Sequence, residues 1–111
     1  MPGSQEVRIG IVGYGMMGKA HSYGYREAPR LRELPVRPRL QLISGRRREL
    51  VEKAASAYGV DEVTTDWRRL VERRDIDIVD ICTPPGTHAE IAAAAAAEGK
   101  AVICEKPFAT S

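Results

Sequence analysis

Apolar runs alternate with longer amphipathic segments along the whole chain. Five runs predict β-strands, at Val7–Val12, Leu40–Ser44, Glu62–Thr64, Ile76–Cys82 and Ala101–Cys104. The first, fourth and fifth runs show little alternation of apolar and polar residues, which is typical of parallel strands covered on both faces.

The segments between these strands predict helices, at Met16–Glu27, at Arg47–Tyr58, from the N-cap Asp66 to Arg73, and from Thr87 to Gly99. In the second segment, apolar residues recur at helical spacing and Gly59 follows the last of them. Pro29, Pro35 and Pro38 predict an irregular connection over residues 28–39. Repeated alternation of strand and helix predicts an α/β fold with a doubly wound parallel sheet.

The first strand runs directly into a glycine-rich segment, Gly13-Tyr14-Gly15-Met16-Met17-Gly18. Gly13 permits a tight turn, Gly15 lets the backbone approach a phosphate, and Gly18 lets the next helix lie close to its strand. The first helical turn, with Met16 and Met17, offers backbone N–H groups to an anion. This order predicts a Rossmann-type site for the pyrophosphate of a dinucleotide; a plain turn is the alternative, because such glycines also occur in loops.

The composition is that of an ordinary globular domain. The 111 residues are 43% hydrophobic and 29% charged, which suffices for one core but is short for a two-substrate enzyme. The longest apolar block, Ile91–Ala97, is far below the roughly 20 residues that span a bilayer, and Ser4-Gln5-Glu6 is unlike a signal peptide. We expect a single domain over residues 1–111, in the cytoplasm and without a membrane partner.

The two cysteines and the charge distribution narrow the candidate partners. Cys82 and Cys104 each close a predicted strand, but cytoplasmic thiols are usually reduced, so we expect neither a disulfide nor a metal site. From Arg26 to Lys53 there are nine basic and four acidic residues, which favours an anionic ligand or a solvated face. The six aromatic residues are scattered and offer no stacking surface, so a phosphorylated small molecule fits better than nucleic acid.

The residues after the second strand indicate which dinucleotide binds. Enzymes that use NAD usually place a carboxylate there against the ribose, whereas this chain has Ser44-Gly45-Arg46-Arg47-Arg48. A guanidinium can bind a 2′-phosphate through two charge-assisted hydrogen bonds, and arginines in a first helical turn oppose the helix macrodipole. The sequence therefore favours NADP over NAD, with Ser44, Arg46 and Arg47 at the site. Exposed charges, or Glu49 turned toward a ribose, are the alternatives.

Two further motifs follow the fourth and fifth strands, Thr83-Pro84-Pro85-Gly86-Thr87-His88 and Glu105-Lys106-Pro107. The carboxyl ends of parallel strands meet at the sheet edge where cofactor and substrate bind, so Thr83 and His88 are candidate cofactor contacts. For His88 alone, packing or capping at the start of the helix is the favoured interpretation. Lys106 is held between a glutamate and a proline, and it could hydrogen-bond a substrate hydroxyl or polarise a carbonyl.

At these motifs the chain resembles the Gfo/Idh/MocA family of NAD(P)-dependent oxidoreductases, which act mostly on sugars, inositols and related polyols. The resemblance spans essentially the whole chain and is carried by the glycine segment with His21, by Asp80-Ile81-Cys82-Thr83-Pro84, by Thr87-His88 and, most specifically, by Cys104-Glu105-Lys106-Pro107. It implies that Lys106 is catalytic, near the nicotinamide and the substrate hydroxyl, and that Pro84 and Glu105 line the cofactor site. Pro85 stands where the family commonly has asparagine, and it cannot supply that amide.

Members of this family continue into a second domain, which holds the substrate on an open, mainly antiparallel sheet. The resemblance therefore implies that this chain, which ends at Ser111, is the cofactor-binding half of such an enzyme. Hydride transfer needs both reactants held at near-attack distance, so we expect the chain alone to bind NADP or NAD without turnover. A non-catalytic dinucleotide sensor or interaction module, which would not need Lys106, is the alternative. The sequence is compatible with an oligomer.

Overall fold

The computed structural model describes residues 5–13, 36–83 and 85–104, which form a parallel sheet with helices on both faces. The strands are β1 (Gln5–Val12), β2 (Val36–Ser44), β3 (Glu62–Thr64), β4 (Ile78–Ile81) and β5 (Ala101–Cys104). The helices are α1 (Arg48–Tyr58), α2 (Trp67–Glu72) and α3 (His88–Ala97), and a 3₁₀ turn (Pro85–Thr87) precedes α3. The predicted doubly wound α/β fold is confirmed.

The order of the strands in the sheet is β3-β2-β1-β4-β5, and every pair is parallel. The chain therefore builds outward from β1 in both directions, with β2 and β3 on one side and β4 and β5 on the other. The connections reverse direction between β1 and β4, so the carboxyl ends of these two strands mark the switch point of the sheet. In open α/β sheets, ligands bind at this kind of switch point.

The sheet separates two apolar clusters, because successive side chains of a strand point to opposite faces. On the face covered by α1, the cluster contains Ile9, Ile11, Leu40, Ile43, Val51, Ala54, Ala55 and Val60. On the face covered by α2 and α3, it contains Val12, Leu42, Leu70, Val71, Ile76, Val79, Ile81, Ile91 and Ala95. Burial on both faces explains why β1 and β4 lack alternation in the sequence.

The ends of the helices follow local rules that the sequence displays. Gly59 ends α1 in the left-handed region, with φ of 79°, and its N–H donates to the carbonyl of Ala55 at 2.9 Å. Asp66 caps α2, since its Oδ1 accepts a hydrogen bond from the N–H of Arg68 at 3.0 Å. Both predictions are confirmed. Within the described ranges, no helix is long and apolar enough to cross a membrane.

The prediction of irregular structure as far as residue 39 is wrong, since β2 begins at Val36 and includes Pro38. The N–H of Asp61 donates to the carbonyl of Leu40, so the polar backbone groups of Leu40 face the β3 side of the strand. Pro38, two residues earlier, has the same orientation, and β3 pairs only with Leu42–Ser44. The nitrogen that lacks a hydrogen therefore faces a stretch where β3 requires no donor, which is how a strand tolerates proline.

Two other boundaries differ from the prediction. β4 is shorter than the apolar run that predicts it, because Ile76 packs in the core from the loop that precedes the strand. The last helix ends at Ala97, and Gly99 follows in the left-handed region with φ of 77°. The predicted helix at Met16–Glu27 lies outside the described residues.

Candidate dinucleotide-binding site

Gly13, the first residue after β1, has the backbone conformation that the predicted bend requires. Its φ is +103°, a conformation that L side chains rarely adopt. A Cβ placed on Gly13 would lie 3.0 Å from the carbonyl carbon and oxygen of Cys82 and from Cγ2 of Thr83. Glycine is therefore required twice, by the backbone conformation and by the close approach of the β4 end.

Hydrogen bonds join this bend to the strands on both sides. The N–H of Gly13 donates to the carbonyl of Ser44 at 2.9 Å, and the N–H of Cys82 donates to the carbonyl of Val12 at 2.8 Å. The ends of β2, β1 and β4 are thus held together at the switch point. Ser44 itself is only 2% exposed, so it supports the bend through its backbone, and its contact with a cofactor stays a prediction.

The arginines after β2 differ in their partners. Arg47 lies 3.6 Å from a carboxylate oxygen of Glu49, and Arg48 lies 3.4 Å from one of Glu52. Arg46 is exposed and makes no ion pair with any described residue. The carboxylates offset part of the unfavourable charge that Arg47 and Arg48 bring to the start of α1, so the macrodipole argument for a phosphate ligand is weaker than the sequence suggests.

The loop between β4 and α3 is held by two side-chain hydrogen bonds. Nε2 of His88 is 2.5 Å from the carbonyl oxygen of Thr83, and the Oγ1 atoms of Thr83 and Thr87 are 2.6 Å apart. A carbonyl only accepts, so His88 donates from Nε2. His88 is 7% exposed, which agrees with the packing interpretation of this residue. Thr87 was not among the predicted site residues, although it stands in the motif Thr87-His88.

The remaining candidate residues lie outside the described part of the chain. These residues are Gly15, Met16, Met17, Gly18, Pro84, Glu105 and Lys106. β5 ends at Cys104, directly before the lysine motif, and Cys104 pairs with Ile81 at the end of β4. The roles of these residues in cofactor binding and catalysis therefore stay predictions.

The two cysteines lie on opposite faces of the sheet and are not joined by a disulfide. Cys82 packs against the α1 cluster and Cys104 against the α2–α3 cluster. Burial raises the pKa of the Cys104 thiol, with a smaller contribution from the charge of Asp80. Asp80, which was not among the predicted site residues, is fully buried, and the Cys82 thiol lies 3.5 Å from its Oδ1.

A cavity of about 380 Å³ lies apart from the bend. Its walls come from β2, β3 and the end of α2, with Arg69, Glu72 and Arg73 at the polar side. Charges of both signs line it, which selects neither an anion nor a cation. Among the described residues, no group of three or more His, Cys, Asp or Glu side chains could hold a metal ion.

The parallel sheet, the glycine bend at its switch point and the loop held against that bend define a nucleotide-binding domain of Rossmann type. Residues 7–111 match the family model described as an oxidoreductase family with an NAD-binding Rossmann fold. The chain therefore belongs to the Gfo/Idh/MocA family of NAD(P)-dependent oxidoreductases, as its motifs predict.

Several characterised proteins resemble the chain over nearly its full length. Levoglucosan dehydrogenase of Pseudarthrobacter phenanthrenivorans is 44% identical over 106 residues, which are 95% of this chain and 27% of the relative. Inositol 2-dehydrogenase 4 of Saccharopolyspora erythraea is 34% identical over 105 residues, or 95% of this chain and 29% of the relative. This chain thus spans less than a third of the length of these enzymes.

Solved structures agree with this assignment. A levoglucosan dehydrogenase in complex with NADH superposes with a TM-score of 0.91 at 44% identity, over 94% of this chain and 28% of that one. An oxidoreductase domain protein from Kribbella flavida superposes with a TM-score of 0.90 at 49% identity, over the same shares of the two chains.

Proposed function

We propose that this chain is the cofactor-binding part of a dehydrogenase that acts on a secondary alcohol of a sugar, an inositol or a similar polyol. The observation that carries the proposal is the bend at Gly13, where the backbone turns with φ of +103° at the switch point of the sheet. A bend without a side chain lets linked phosphates approach backbone N–H groups. The relatives levoglucosan dehydrogenase and inositol 2-dehydrogenase 4 support a sugar or polyol as the substrate.

Different residues of the chain would bind the coenzyme and assist the chemistry at the substrate. Gly13, whose own N–H is bonded to the Ser44 carbonyl, would set the turn, and the glycines after it would let the pyrophosphate approach the backbone. Thr83, Pro84 and Glu105 would line the cofactor site. A bound nicotinamide coenzyme supplies the carrier for the hydride. Lys106 would hydrogen-bond the substrate oxygen and stabilise the charge that develops on it.

We propose further that the chain by itself binds the coenzyme but does not turn over. Positioning of a polyol against the nicotinamide needs walls on the substrate side, and the chain spans 27% of the length of levoglucosan dehydrogenase. Steady NADPH or NADH oxidation by the isolated chain with a polyol-derived ketone would contradict this proposal. A location in the cytoplasm and the absence of nucleic-acid and membrane partners remain predictions from the sequence.

We propose NADP as the preferred coenzyme. The N–H of Gly13 bonds to the carbonyl of Ser44 at 2.9 Å, and Arg46 and Arg47 lie two and three residues after Ser44 in the chain. Arg46 has no carboxylate partner among the described residues, and Arg47 has only the exposed ion pair with Glu49. Exposed ion pairs contribute little, so both guanidinium groups are available to a 2′-phosphate. NAD is the alternative, since the levoglucosan dehydrogenase structure contains NADH.

Calorimetric titration of the chain with NADP and with NAD tests both proposals. We expect tighter binding of NADP, and we expect Arg46→Gln with Arg47→Gln to weaken NADP binding about tenfold or more, because each charged hydrogen bond is worth roughly 1.5–3 kcal/mol. Binding of NAD should change little. Lys53→Gln is the matched control, since it removes the same charge from an exposed position of α1, five residues beyond Arg48.

The outcomes separate the two proposals. Equal effects of the arginine substitutions on NAD and NADP would overturn the selection of NADP and leave dinucleotide binding intact. Failure of the folded chain to bind either coenzyme would overturn the proposed function.

A further inference from the structure

Two hydrogen bonds hold Thr83 in the loop between β4 and α3. The backbone carbonyl of Thr83 accepts from Nε2 of His88 at 2.5 Å, while its hydroxyl bonds to that of Thr87 at 2.6 Å. Thr87 is the N-cap residue of α3, yet its side chain makes no capping hydrogen bond. A hydroxyl that would ordinarily stabilise its own helix is directed to Thr83 instead.

Thr83 in turn forms one wall of the Gly13 bend. Its Cγ2 lies 3.0 Å from the position of a Cβ on Gly13, at the same distance as the backbone of Cys82. Gly13 carries no Cβ, so these distances show how closely Thr83 and the end of β4 approach the backbone of Gly13. The position of Thr83 therefore limits the space available beside Gly13.

The arrangement is well suited to positioning. His88 is 7% exposed and begins α3, a helix packed on the sheet through the buried residues Ile91 and Ala95. A buried donor on a packed helix has little freedom, so it holds the loop more firmly than an exposed side chain would. Together, the contacts form a continuous path from α3 through Thr83 to the bend.

We propose that His88 and Thr87 are positioning residues that hold Thr83 against Gly13 and thereby set the affinity of the site for a dinucleotide. This inference rests on the proposed function, because it concerns the same site. Neither residue needs to touch the coenzyme. Loss of either hydrogen bond would let Thr83 move away from the bend, and binding would then have to restore its position at a cost in affinity.

Four substitutions test the proposal. His88→Leu and Thr87→Val remove the hydrogen bonds, whereas His88→Gln keeps a donor and Thr87→Ser keeps the hydroxyl. Calorimetry with NADP and with NAD should give dissociation constants raised roughly three- to tenfold for the first two variants, as expected for one lost hydrogen bond. The conservative variants should stay within about twofold of the original chain.

A general loss of protein stability must be distinguished from a displacement of Thr83 at the site. Ile91→Val is the matched control, because Ile91 is 2% exposed on the same helix and its truncation lowers stability without touching the loop. Circular dichroism confirms, for each variant, that the titrated protein is folded. We expect Ile91→Val to bind dinucleotide as the original chain does.

The outcomes are distinct. Unchanged affinities in folded His88→Leu and Thr87→Val would overturn the positioning role while the proposed function stands. Equal weakening by Ile91→Val would overturn it as well, because general destabilisation would then explain the effect. If His88→Leu does not fold, the pair Thr87→Val and Thr87→Ser decides. Absence of dinucleotide binding by the original chain would overturn both the proposed function and this inference.

Discussion

At the scale of single residues, Gly13 concentrates several constraints in one position. Its backbone lies at φ of +103°, its N–H donates to Ser44, and its missing side chain leaves space that Cys82 and Thr83 nearly fill. Gly99 offers a useful contrast, since it also has positive φ but nothing lies within 4 Å of a Cβ placed there. The two glycines separate the cost of backbone conformation from the cost of crowding.

Replacement of Gly13 by alanine should therefore cost more than replacement of Gly99. We expect Gly13→Ala to lower the free energy of unfolding by about 2–4 kcal/mol, from left-handed strain of roughly 1–2 kcal/mol and crowding of similar size. Gly99→Ala should lower the free energy of unfolding only by the left-handed strain, because nothing crowds a Cβ at Gly99. Urea denaturation measures both values, and equal losses would show that the β4 end yields to the added methyl group.

The sequence predicts part of the role of these glycines. A glycine directly after an apolar run indicates a turn, and Gly13 has the positive φ that such a turn requires. The close approach of α2 to Gly10 was not predicted. A Cβ on Gly10 would lie only 2.7 Å from Cδ2 of Leu70. Leu70 is distant in the sequence, and no local pattern specifies which helix crosses a given strand residue.

At the scale of elements, α2 is a short helix whose formation depends on its start. It spans only Trp67–Glu72, and Asp66 supplies the N-cap through its bond to the N–H of Arg68. Leu70 and Val71 anchor the helix in the core, and Arg68 links it to α3 through Glu90 at 2.8 Å. The helix has few internal hydrogen bonds, so the cap is a large share of its local stability.

Loss of this cap should destabilise α2 measurably. We expect Asp66→Ala to lower the free energy of unfolding by about 1 kcal/mol, and Asp66→Asn, which keeps the acceptor, to stay within a few tenths. Urea titration followed by the fluorescence of Trp67, the single tryptophan of the chain, measures the change at the helix itself. Equal loss in both variants would show that charge, not capping, is what matters at this position.

At the scale of the whole molecule, charged groups join elements that are distant in sequence. Nη1 of Arg73 lies 2.8 Å from Glu62 at the start of β3, and its Nε donates to Asp75 at 2.8 Å. Lys100, which precedes β5, donates from Nζ to the carbonyl of Arg73 at 2.6 Å. The cluster thus connects the two outer strands of the sheet through the segment that follows α2.

This cluster makes stability depend on pH in a definite direction. Hydrogen bonds from Arg73 hold the pKa of Glu62 and that of Asp75 below their ordinary values. As the pH falls, the carboxylates of the unfolded chain therefore take up protons before those of the folded chain. The contribution of the two carboxylates to stability is complete above their unfolded pKa values near pH 4, and it is lost as the pH falls through their lower folded pKa values. Because both carboxylates are partly exposed, the total is about 1 kcal/mol.

Urea denaturation between pH 7 and pH 3 tests this dependence. Arg73→Gln should lower stability at pH 7 and flatten the decline on the acid side. Arg74→Gln removes the same charge one residue later, from an exposed side chain, and should leave the acid decline as it is in the original chain. Parallel profiles for the original chain and Arg73→Gln would contradict the role of the cluster.

The sequence by itself determined the features that depend on neighbouring residues: the alternation of strands and helices, the caps at Asp66 and Gly59, and the need for glycine at the end of β1. Local propensities and hydrophobic periodicity act over a few residues, so these features can be read without the fold. Only the tertiary structure decided that Pro38 belongs to β2 and that His88 and Thr87 are directed to Thr83. Each of these depends on strand pairing or on side-chain direction, which the order of residues does not specify.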